Sequence, residues 1–410
     1  MKVVIIGAGP AGVTVAETLR QHNSSADIVM ISGEPFPPYS PPAMLEYFTT
    51  GKEVHFWKGK DFPQTLKIDY RPGTKVESVL PEQRAIRLAG GELLSYDRLV
   101  IASGARLYAP LKGEYKPGIY NFKSLSAAEE LMHKVREKRA RSAIVVGAGF
   151  IGVEIGLLLA DMGIQVTQLV RSRVMRAILD DETSRIVSQM MEKRGIRVLQ
   201  GVDSDAVAFV GEPRVEAVQV KSGNVLRDDL IIAATGLKPN IDYLRGSGVK
   251  TNWGVPVDDH MCTNFSDIYA AGDVSETPNR ITGQRAVHGN FPNAVAQGRV
   301  VAYNLLGWVV SYEGADSMNS LKHLGLPLIA VGQVEGEELR VKQGDNLRKL
   351  YLRDNRIIGF RLVGDVSAAG IYRTLMNTRV DVSSFKHRLL EPGFGMGYVE
   401  GLALPQVLTP

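Results

Sequence analysis

A glycine-rich pattern that occurs twice constrains the fold of this chain more than any other feature. The first copy follows the apolar run 3–6, which is typical of a buried parallel strand, and leads into a helical pattern that extends to Arg20. The second copy, 142–160, lies 140 positions further on, so that Gly147 matches Gly7. Each copy predicts a strand, a tight turn and a helix, the unit that binds the phosphates of a dinucleotide.

The glycines of the pattern have separate physical roles. Gly7 permits the tight turn, Gly9 lets the backbone approach a pyrophosphate, and Gly12 lets the helix lie close to the strand. The free N–H groups at the helix N-terminus then face the phosphates. The phosphate-binding candidates are Gly7, Gly9, Pro10, Ala11 and Gly12 in the first copy, and Gly147, Gly149, Phe150, Ile151 and Gly152 in the second. One copy alone is a weak signal, but the pair predicts two dinucleotides, most simply a flavin and a nicotinamide dinucleotide.

Length and composition favour an ordinary globular protein. The 410 residues suggest about three domains, and 44% hydrophobic with 22% charged residues is unremarkable. A net charge of +4 gives no indication of a nucleic-acid partner, and no apolar run of about 18 residues predicts a membrane span. Met1 leads directly into the first strand, which leaves no room for a signal peptide, and a single cysteine, Cys262, suits a reducing compartment. We therefore expect a cytoplasmic protein, and the sequence shows no metal-ligand cluster.

Small residues follow three further predicted strands, where a chain passes close to a bound dinucleotide. They occur at the ends of 95–104, 228–236 and 266–273. The cofactor-binding candidates there are Ala102, Ser103, Gly104, Ala234, Gly236, Gly272 and Asp273. At the carboxyl end of a parallel strand, the Asp273 carboxylate suits a ribityl hydroxyl, and the alternative is that it caps a helix.

The segment after the first helix offers one acidic candidate. Residues 27–32 are predicted as the second strand of the first unit, and Glu34 is the acidic residue nearest its end. Such a residue usually binds a ribose hydroxyl, although Glu34 could equally solvate a turn. The proline-rich stretch 33–42 that follows predicts a stiff loop, with a plain surface turn as the alternative.

The character of the sequence changes after about residue 313. Segments 325–332, 348–353 and 356–363 resemble short strands with a turn at 354–355, and 366–378 resembles a helix. This predicts a separate α+β domain that contains no nucleotide-binding pattern.

The order of these motifs resembles the two-dinucleotide flavoprotein disulfide-reductase superfamily. The stretches GEPFPPYSPPAMLEYFTTGK and FPNAVAQGRVVAYNLLG are similar to the branch with NAD(P)H:rubredoxin and ferredoxin reductases and nitrite reductase flavin domains. The resemblance implies an α/β fold with two Rossmann-like domains, the NAD(P)H domain being inserted into the FAD domain, plus a small C-terminal α+β domain. The implied boundaries are 1–112 with 246–313 for FAD, 113–245 for NAD(P)H and 314–410 for a C-terminal interface or docking domain.

The chain departs from this superfamily in its sulfur chemistry. Disulfide-reducing members carry a CxxxxC pair, and peroxidases and many oxidases carry one cysteine near the flavin, but 39–48 contains no cysteine. Without a thiol, neither a disulfide relay nor a sulfenic acid cycle can operate. Cys262 is interpreted as a packed residue, with a redox role as the alternative. Pro41 stands where relatives often have an arginine, which removes a cation from beside the flavin.

The remaining chemistry is hydride transfer, for which the resemblance supplies residue roles. It implies that Phe150 gates the nicotinamide pocket and that Glu154 lies near the carboxamide; packing and a solvated helix carboxylate are the alternatives. It also implies that the helix beginning at 291 points its N-terminus at the flavin pyrimidine, with Phe291 and Ala294 as cofactor-binding residues. His288 lies just upstream and either touches the ring system or belongs only to the loop.

The choice between NADH and NADPH depends on the end of the second strand in the inserted domain. NAD-specific folds place a carboxylate there, and this chain has Val170 followed by Arg171, Arg173 and Arg176. Guanidinium groups suit a 2′-phosphate, so Arg171 and Arg173 are candidates and NADPH is slightly favoured over NADH. Exposed arginines without any phosphate are the alternative.

Three functions fit this sequence, and the first is favoured. In the first, FAD exchanges hydride with NAD(P)H and single electrons with an iron–sulfur or rubredoxin-type protein, in either direction. Any iron–sulfur centre must lie on another chain, which favours a flavin subunit of a larger complex, while the interfaces of the family imply a homodimer or such a complex. The alternatives are a peroxide-forming NAD(P)H oxidase and a redox-sensing interaction flavoprotein. The sequence names neither the acceptor nor the direction of electron flow.

Overall fold

The computed structural model describes residues 1–23, 25–55, 58–114, 116–137, 140–322, 325, 327–395 and 397. The chain divides into two compact units. The first consists of Met1–Ala109, Tyr120–Glu137 and Gly236–Asp316, and the second of Pro110–Ile119, Lys138–Thr235 and Ser317–Pro410. The division into three domains therefore stays a prediction.

Helices and strands alternate around each glycine turn, and runs of consecutive strands make up much of the rest. The helices are α1 (Pro10–His22), α2 (Met44–Thr50), α3 (Phe62–Thr65), α4 (Leu125–Arg136), α5 (Phe150–Asp161), α6 (Asp181–Lys193), α7 (Phe291–Leu305) and α8 (Ala369–Asn377). The strands are β1 (Lys2–Ile6), β2 (Asp27–Ile31), β3 (Asp69–Arg71), β4 (Val76–Leu80), β5 (Ala85–Leu88), β6 (Leu93–Ser95), β7 (Arg98–Ile101), β8 (Ala105–Leu107), β9 (Ile119–Tyr120), β10 (Ser142–Val146), β11 (Gln165–Val170), β12 (Arg197–Gln200), β13 (Ala206–Val210), β14 (Ala217–Val220), β15 (Val225–Arg227), β16 (Leu230–Ala233), β17 (Leu237–Pro239), β18 (Val255–Pro256), β19 (Ile268–Ala270), β20 (Ser275–Pro278), β21 (Arg285–Val287), β22 (Met318–Leu321), β23 (Leu328–Gly332), β24 (Glu337–Gln343), β25 (Asn346–Arg353) and β26 (Arg356–Val363).

The first unit is built on a parallel five-stranded sheet in the order β19-β7-β1-β2-β3. Its central strand β1 is buried along almost its whole length, as the apolar run predicts. Helices α1 and α7 pack together, and Gly298 of α7 makes the approach possible because a Cβ there would lie 2.5 Å from the carbonyl oxygen of Ala11. Three small sheets complete the unit, in the orders β4-β5-β6, β17-β8 and β18-β20-β21.

The second unit repeats this plan with the sheet β12-β11-β10-β16-β9, in which β10 lies between β11 and β16 in parallel register. A small antiparallel sheet, β13-β14-β15, accompanies it. The α/β fold with two Rossmann-like units is thereby confirmed. Among the described residues, none of the helices combines the length and the apolar character that crossing a membrane requires.

The C-terminal part of the second unit is an antiparallel sheet in the order β22-β23-β26-β25-β24, with α8 packed on β26. The turn predicted at 354–355 joins β25 to β26, and both of its residues have positive φ, as a tight hairpin requires. Sequence analysis missed β22 and β24. β24 is an edge strand whose residues are mostly exposed, so it lacks the apolar pattern that reveals a strand.

Candidate dinucleotide sites

The first glycine turn joins β1 to α1, and two of its glycines are required by the fold itself. Gly7 has a φ of +116°, and a Cβ there would lie 2.1 Å from the carbonyl oxygen of Ala102. A Cβ on Gly12 would lie 2.1 Å from the carbonyl oxygen of Gly7. Neither position has room for a larger residue, since both distances are far below van der Waals contact.

The second glycine turn, between β10 and α5, repeats these contacts. Gly147 has a φ of +100°, and a Cβ there would lie 2.5 Å from the carbonyl oxygen of Ala234. A Cβ on Gly152 would lie 2.3 Å from the carbonyl oxygen of Gly147. Ala234 thus supports the second turn in the same way as Ala102 supports the first.

The middle glycine of each turn is different, because the fold does not demand it. Gly9 and Gly149 have φ values of −79° and −74°, which any residue can adopt. Among the described residues, a Cβ on either would meet no atom within 4 Å. No side chain in that part of the chain caps α1 or α5, so the first turn of each helix is open to an anion. These two positions fit a pyrophosphate that lies against the backbone.

Asp273 follows β19 and faces the loop before α7. Its carboxylate accepts a hydrogen bond from Nζ of Lys123 over 2.8 Å. The chain continues from Asp273 into β20, so this residue does not cap a helix. The turn is fixed by Gln297, whose Oε1 accepts the N–H of Gly272 over 2.7 Å. Gly272 itself has a φ of +81°, which favours glycine.

The small-residue turns that follow β7 and β16 differ in one respect: the boundary between the two compact units falls inside the second turn, between Thr235 and Gly236. Ser103 donates through Oγ to the carbonyl oxygen of Asn240 over 2.8 Å, and Gly104 has a φ of +63°. Ala234 lies in the second unit, whereas Gly236 lies in the first, where its carbonyl oxygen accepts the N–H of Tyr108 over 2.9 Å. The two turns are similar in sequence, but Ala234 and Gly236 belong to different units.

Glu34 is held by the start of α4. One carboxylate oxygen accepts Oγ of Ser126 over 2.6 Å, and the other accepts the Tyr39 hydroxyl over 2.5 Å. The Tyr39 hydroxyl in turn accepts the N–H of Leu125 over 3.0 Å. Burial, together with the Glu34 carboxylate, raises the pKa of Tyr39. Glu34 therefore joins two segments of the first unit and is more than a solvated turn residue.

Phe150 and Glu154 lie on the same face of α5, one turn apart. Phe150 is the first residue of the helix and is half-buried. Burial raises the pKa of Glu154 to about 7. The Glu154 carboxyl can therefore exchange a proton near neutral pH.

The loop after β11 contains the arginines that were expected to select the nucleotide. Arg173 is engaged by the protein: its guanidinium lies 2.5 Å from an Asp181 carboxylate oxygen and donates to the carbonyl oxygen of Leu179 over 2.9 Å. Arg171 and Arg176 are exposed, and Val170 is buried. An open groove is lined by Ser172, Arg173, Arg176, Ala177 and Asp181. The loop also contacts the glycine turn, since the N–H of Met175 donates to the carbonyl oxygen of Ala148 over 2.7 Å.

The helix predicted to begin at 291 is α7, and it begins there. Asn290 caps it, with Oδ1 accepting the N–H of Asn293 over 2.8 Å. Phe291 is half-buried and Ala294 is buried within the first turn. His288 is half-buried in the preceding loop, and burial lowers its pKa, so it is neutral at pH 7.

Comparison with known proteins identifies the family. The sequence profile of the family described as pyridine nucleotide-disulphide oxidoreductase matches residues 1–298. The chain belongs to this family. Members are NAD(P)H-dependent flavin oxidoreductases that bind FAD and NAD(P)H, and they include ferredoxin reductases and an NADH-rubredoxin oxidoreductase.

Several members of the pyridine nucleotide-disulphide oxidoreductase family resemble this chain over most of its length. It is 27% identical to the NADH-dependent phenylglyoxylate dehydrogenase subunit epsilon of Aromatoleum evansii, over 97% of this chain and 96% of that protein. It is 31% identical to an NADH oxidase of Methanocaldococcus jannaschii, over 89% and 88%. Among solved structures, the ferredoxin reductase for the CYP199A2 system from Rhodopseudomonas palustris has a TM-score of 0.84 at 26% identity, covering 93% of this chain and 95% of that chain.

Three buried or half-buried residues of this family member were missed by sequence reasoning. Lys123 meets Asp273 across 150 positions, Gln297 supports Gly272, and Gln168 contacts the second glycine turn. No local pattern marks any of them, because each acts on a turn that is distant in sequence. A glutamine directly before the apolar pair Leu169 and Val170, at a position that alternates with Thr167, was the one available signal.

Proposed function

We propose that the first glycine turn binds FAD and the second binds NAD(P)H, with the nicotinamide delivered beside Phe150 and Glu154. The observation that carries this proposal is the pair Gly9 and Gly149. Both are glycines that the fold does not require, and both leave space beside an uncapped helix N-terminus. In the first unit, the larger cofactor finds polar groups and a close approach to the backbone. The polar groups are the carboxylates of Glu34 and Asp273, and the close approach is at the turns that contain Ala102, Ser103, Gly104, Gly236 and Gly272.

The acceptor that we propose is an iron–sulfur or rubredoxin-type protein. When bound, FAD would supply the exchange between a two-electron hydride donor and a one-electron partner. The chain adds no thiol chemistry, because its one cysteine has a pKa raised to about 11 by burial and by nearby carboxylates. Two of the similar proteins support this reading by their names, a ferredoxin reductase and a dehydrogenase subunit. We infer that this chain also acts as a subunit or a homodimer, with residues 314–410 available as a docking domain.

For the nicotinamide nucleotide, NADPH is slightly favoured. Arg171 and Arg176 are exposed, Arg176 lines the groove, and the buried Val170 occupies the place where NAD-specific folds carry a carboxylate. Arg173 contributes less to this proposal than the sequence indicated, because Asp181 already neutralises it. The two curated relatives above are named for NADH, so the preference is a property to be measured on this chain.

A second candidate function is a peroxide-forming NAD(P)H oxidase. The 31% identity to an NADH oxidase favours it. The two functions differ in the fate of the electrons. Anaerobic reduction by NADPH or NADH, followed by addition of rubredoxin or a ferredoxin, reports electron transfer as bleaching of the acceptor. Peroxide formed in air at the same rate without any acceptor would favour the oxidase.

Two glycine substitutions test the assignment of the cofactors. Gly9→Ala should fold but be purified with little FAD, whereas Gly149→Ala should keep FAD and be reduced only at high NAD(P)H concentration. Gly370→Ala is the matched control, because a Cβ at Gly370 of α8 also meets no atom of the described residues within 4 Å. Full FAD content in Gly9→Ala, or unchanged reduction of Gly149→Ala, would contradict the proposal.

A further inference from the structure

Gln168 is a fully buried amide on β11, directly beneath the second glycine turn. Its exposed fraction is 0%. Nε2 donates a hydrogen bond to the carbonyl oxygen of Gly147 over 2.5 Å, and Oε1 has no hydrogen-bond partner among the described residues. Burying an amide with one unpaired oxygen is unfavourable. Buried polar atoms without a partner are rare in folded proteins, so packing alone does not explain Gln168.

The neighbouring helix is adapted to this amide. Gly156 of α5 faces Gln168, and a Cβ on Gly156 would lie 2.6 Å from Oε1. Only glycine therefore leaves room for the glutamine in its present position. Glycine inside a helix is itself destabilising by roughly 1 kcal/mol relative to alanine.

The positions of the first unit that correspond to Gln168 and Gly156 contain no amide. Met30 pairs with Ile5 as Gln168 pairs with Val145, and Ile5 and Val145 are equivalent positions of the two repeats. Gly156 corresponds in the same way to Ala16, 140 positions earlier. The first unit thus has a fully buried methionine and alanine, an apolar pair with no donor for the carbonyl oxygen of Gly7. The Rossmann-like plan does not need the glutamine, and in the second unit the glutamine occurs together with the glycine.

We propose that Gln168 is a positioning residue that holds the second glycine turn in its nucleotide-binding conformation. This inference rests on the proposed function, in which the second turn binds NAD(P)H. The carbonyl oxygen of Gly147 is held by Gln168 while its N–H donates to the carbonyl oxygen of Leu169 over 3.0 Å. The two peptide groups that flank the Cα of Gly147 are therefore both held, one by Leu169 and one by Gln168.

The physical reason lies in the different uses of the two turns. A nicotinamide nucleotide is a co-substrate that enters and leaves in each turnover, so its turn must keep its shape when no phosphate is present. A hydrogen bond from a rigid strand achieves this, because a turn that is already ordered loses less conformational entropy on binding. A cofactor that stays bound keeps its turn ordered. The first turn therefore needs no hydrogen bond from the neighbouring strand, and the apolar pair Met30 and Ala16 is sufficient there.

The test compares Gln168→Met, Gly156→Ala and the double variant in the FAD-containing protein. Gln168→Met removes the donor at similar volume, and Gly156→Ala displaces the amide. We expect each single variant to weaken equilibrium binding of ADP-ribose and NADP⁺, measured by calorimetry, about fivefold, the value of one net hydrogen bond. KM for NAD(P)H should rise by the same factor with kcat unchanged. The double variant recreates the pair found in the first unit, so its loss should equal that of one single variant rather than their product.

The outcomes separate a positioning role from a structural one. If the variants bind ADP-ribose like the parent, or lose FAD content and thermal stability with no change in KM, the inference is overturned. Additive losses in the double variant would overturn it too, because Gly156 and Gln168 would then act independently. If the unmodified protein binds neither ADP-ribose nor NADP⁺, the proposed function fails and this inference fails with it.

Discussion

Lys349 on β25 donates a hydrogen bond to Asp180, the N-cap of α6, over 2.9 Å. The lysine side chain is only 5% exposed and also lies 2.9 Å from a carboxylate oxygen of Glu182. Burial alone would raise the pKa of Asp180, but hydrogen bonds from Thr183 and Lys349 lower it to about 2. Arg340 adds a pair with Glu182 over 2.6 Å. A buried lysine and its partly exposed partners thus join the C-terminal sheet to the helix that follows the arginine loop.

Replacing Lys349 by methionine should therefore destabilise the second unit. Asp180 would lose its buried cation while Glu182 keeps Arg340, and because both carboxylates are partly exposed the loss should lie below the about 3–5 kcal/mol typical of a fully buried pair. The folded-state pKa of Asp180 is depressed, so the contribution of the pair is present above the unfolded pKa of about 4 and is lost as pH falls towards the folded value. The difference in unfolding midpoint between parent and Lys349→Met should be constant near neutral pH and shrink in acid. Lys342→Met, at an exposed position of β24, is the control, and equal effects of the two would contradict the argument.

Sequence reasoning succeeded where the structure is encoded locally. The two glycine turns, the buried strand β1, the start of α7 and the turn at 354–355 follow from residues within a few positions of one another, and the structure has them. The family and its fold followed from the order of these motifs, and both are confirmed.

The site contacts that sequence reasoning missed are long-range. Lys349 lies 169 positions from Asp180, and Lys123 lies 150 positions from Asp273. The interpretation of Arg173 shows the same limit: three arginines within six residues favoured a phosphate, and only the structure reveals that Asp181 engages one of them. The roles of Phe150 and Glu154 stay predictions, because they depend on a bound nucleotide.

Glu154 should make the protein less stable as pH rises. Burial raises its pKa to about 7 in the folded state, above the unfolded value of about 4.5. Between these values the folded protein binds the proton more tightly, so the free energy of unfolding falls with increasing pH. Glu154→Gln removes this dependence. Its melting temperature, relative to the parent, should be higher at about pH 8 than at about pH 5.

A surface glutamate provides the control for this measurement. Glu130→Gln, at an exposed position of α4, should shift the melting temperature by the same small amount at both pH values. A difference between Glu154→Gln and the parent that does not vary with pH would show that the Glu154 carboxyl ionises as an ordinary glutamate does.

Arg171 should distinguish the two nicotinamide nucleotides. Arg171→Glu should raise the KM for NADPH about tenfold or more, because a charge-assisted hydrogen bond to the 2′-phosphate is replaced by repulsion, and should change the KM for NADH little. Arg173→Met should instead raise both KM values together, since it breaks the contacts with Asp181 and Leu179 that shape the loop. Steady-state kinetics with both nucleotides measures the two ratios.

Arg185→Glu controls for the change in net charge, because Arg185 is exposed on α6. If Arg171→Glu changes the KM values for NADPH and NADH equally, or if Arg185→Glu has the same effect, then Arg171 does not bind the 2′-phosphate.

Cys262 should be dispensable for electron transfer. Its thiol donates to the carbonyl oxygen of Phe265 over 3.3 Å, and burial raises its pKa to about 11, so the thiolate is scarce at neutral pH. Cys262→Ala should keep kcat for NAD(P)H-dependent acceptor reduction within about twofold, since no step that we propose passes through sulfur. Alkylation of the folded parent with iodoacetamide should be slow and should not change the rate of anaerobic flavin reduction. A large loss of flavin reduction in Cys262→Ala, with FAD content intact, would instead place a thiol in the reaction and move this chain towards the sulfur-using members of its family.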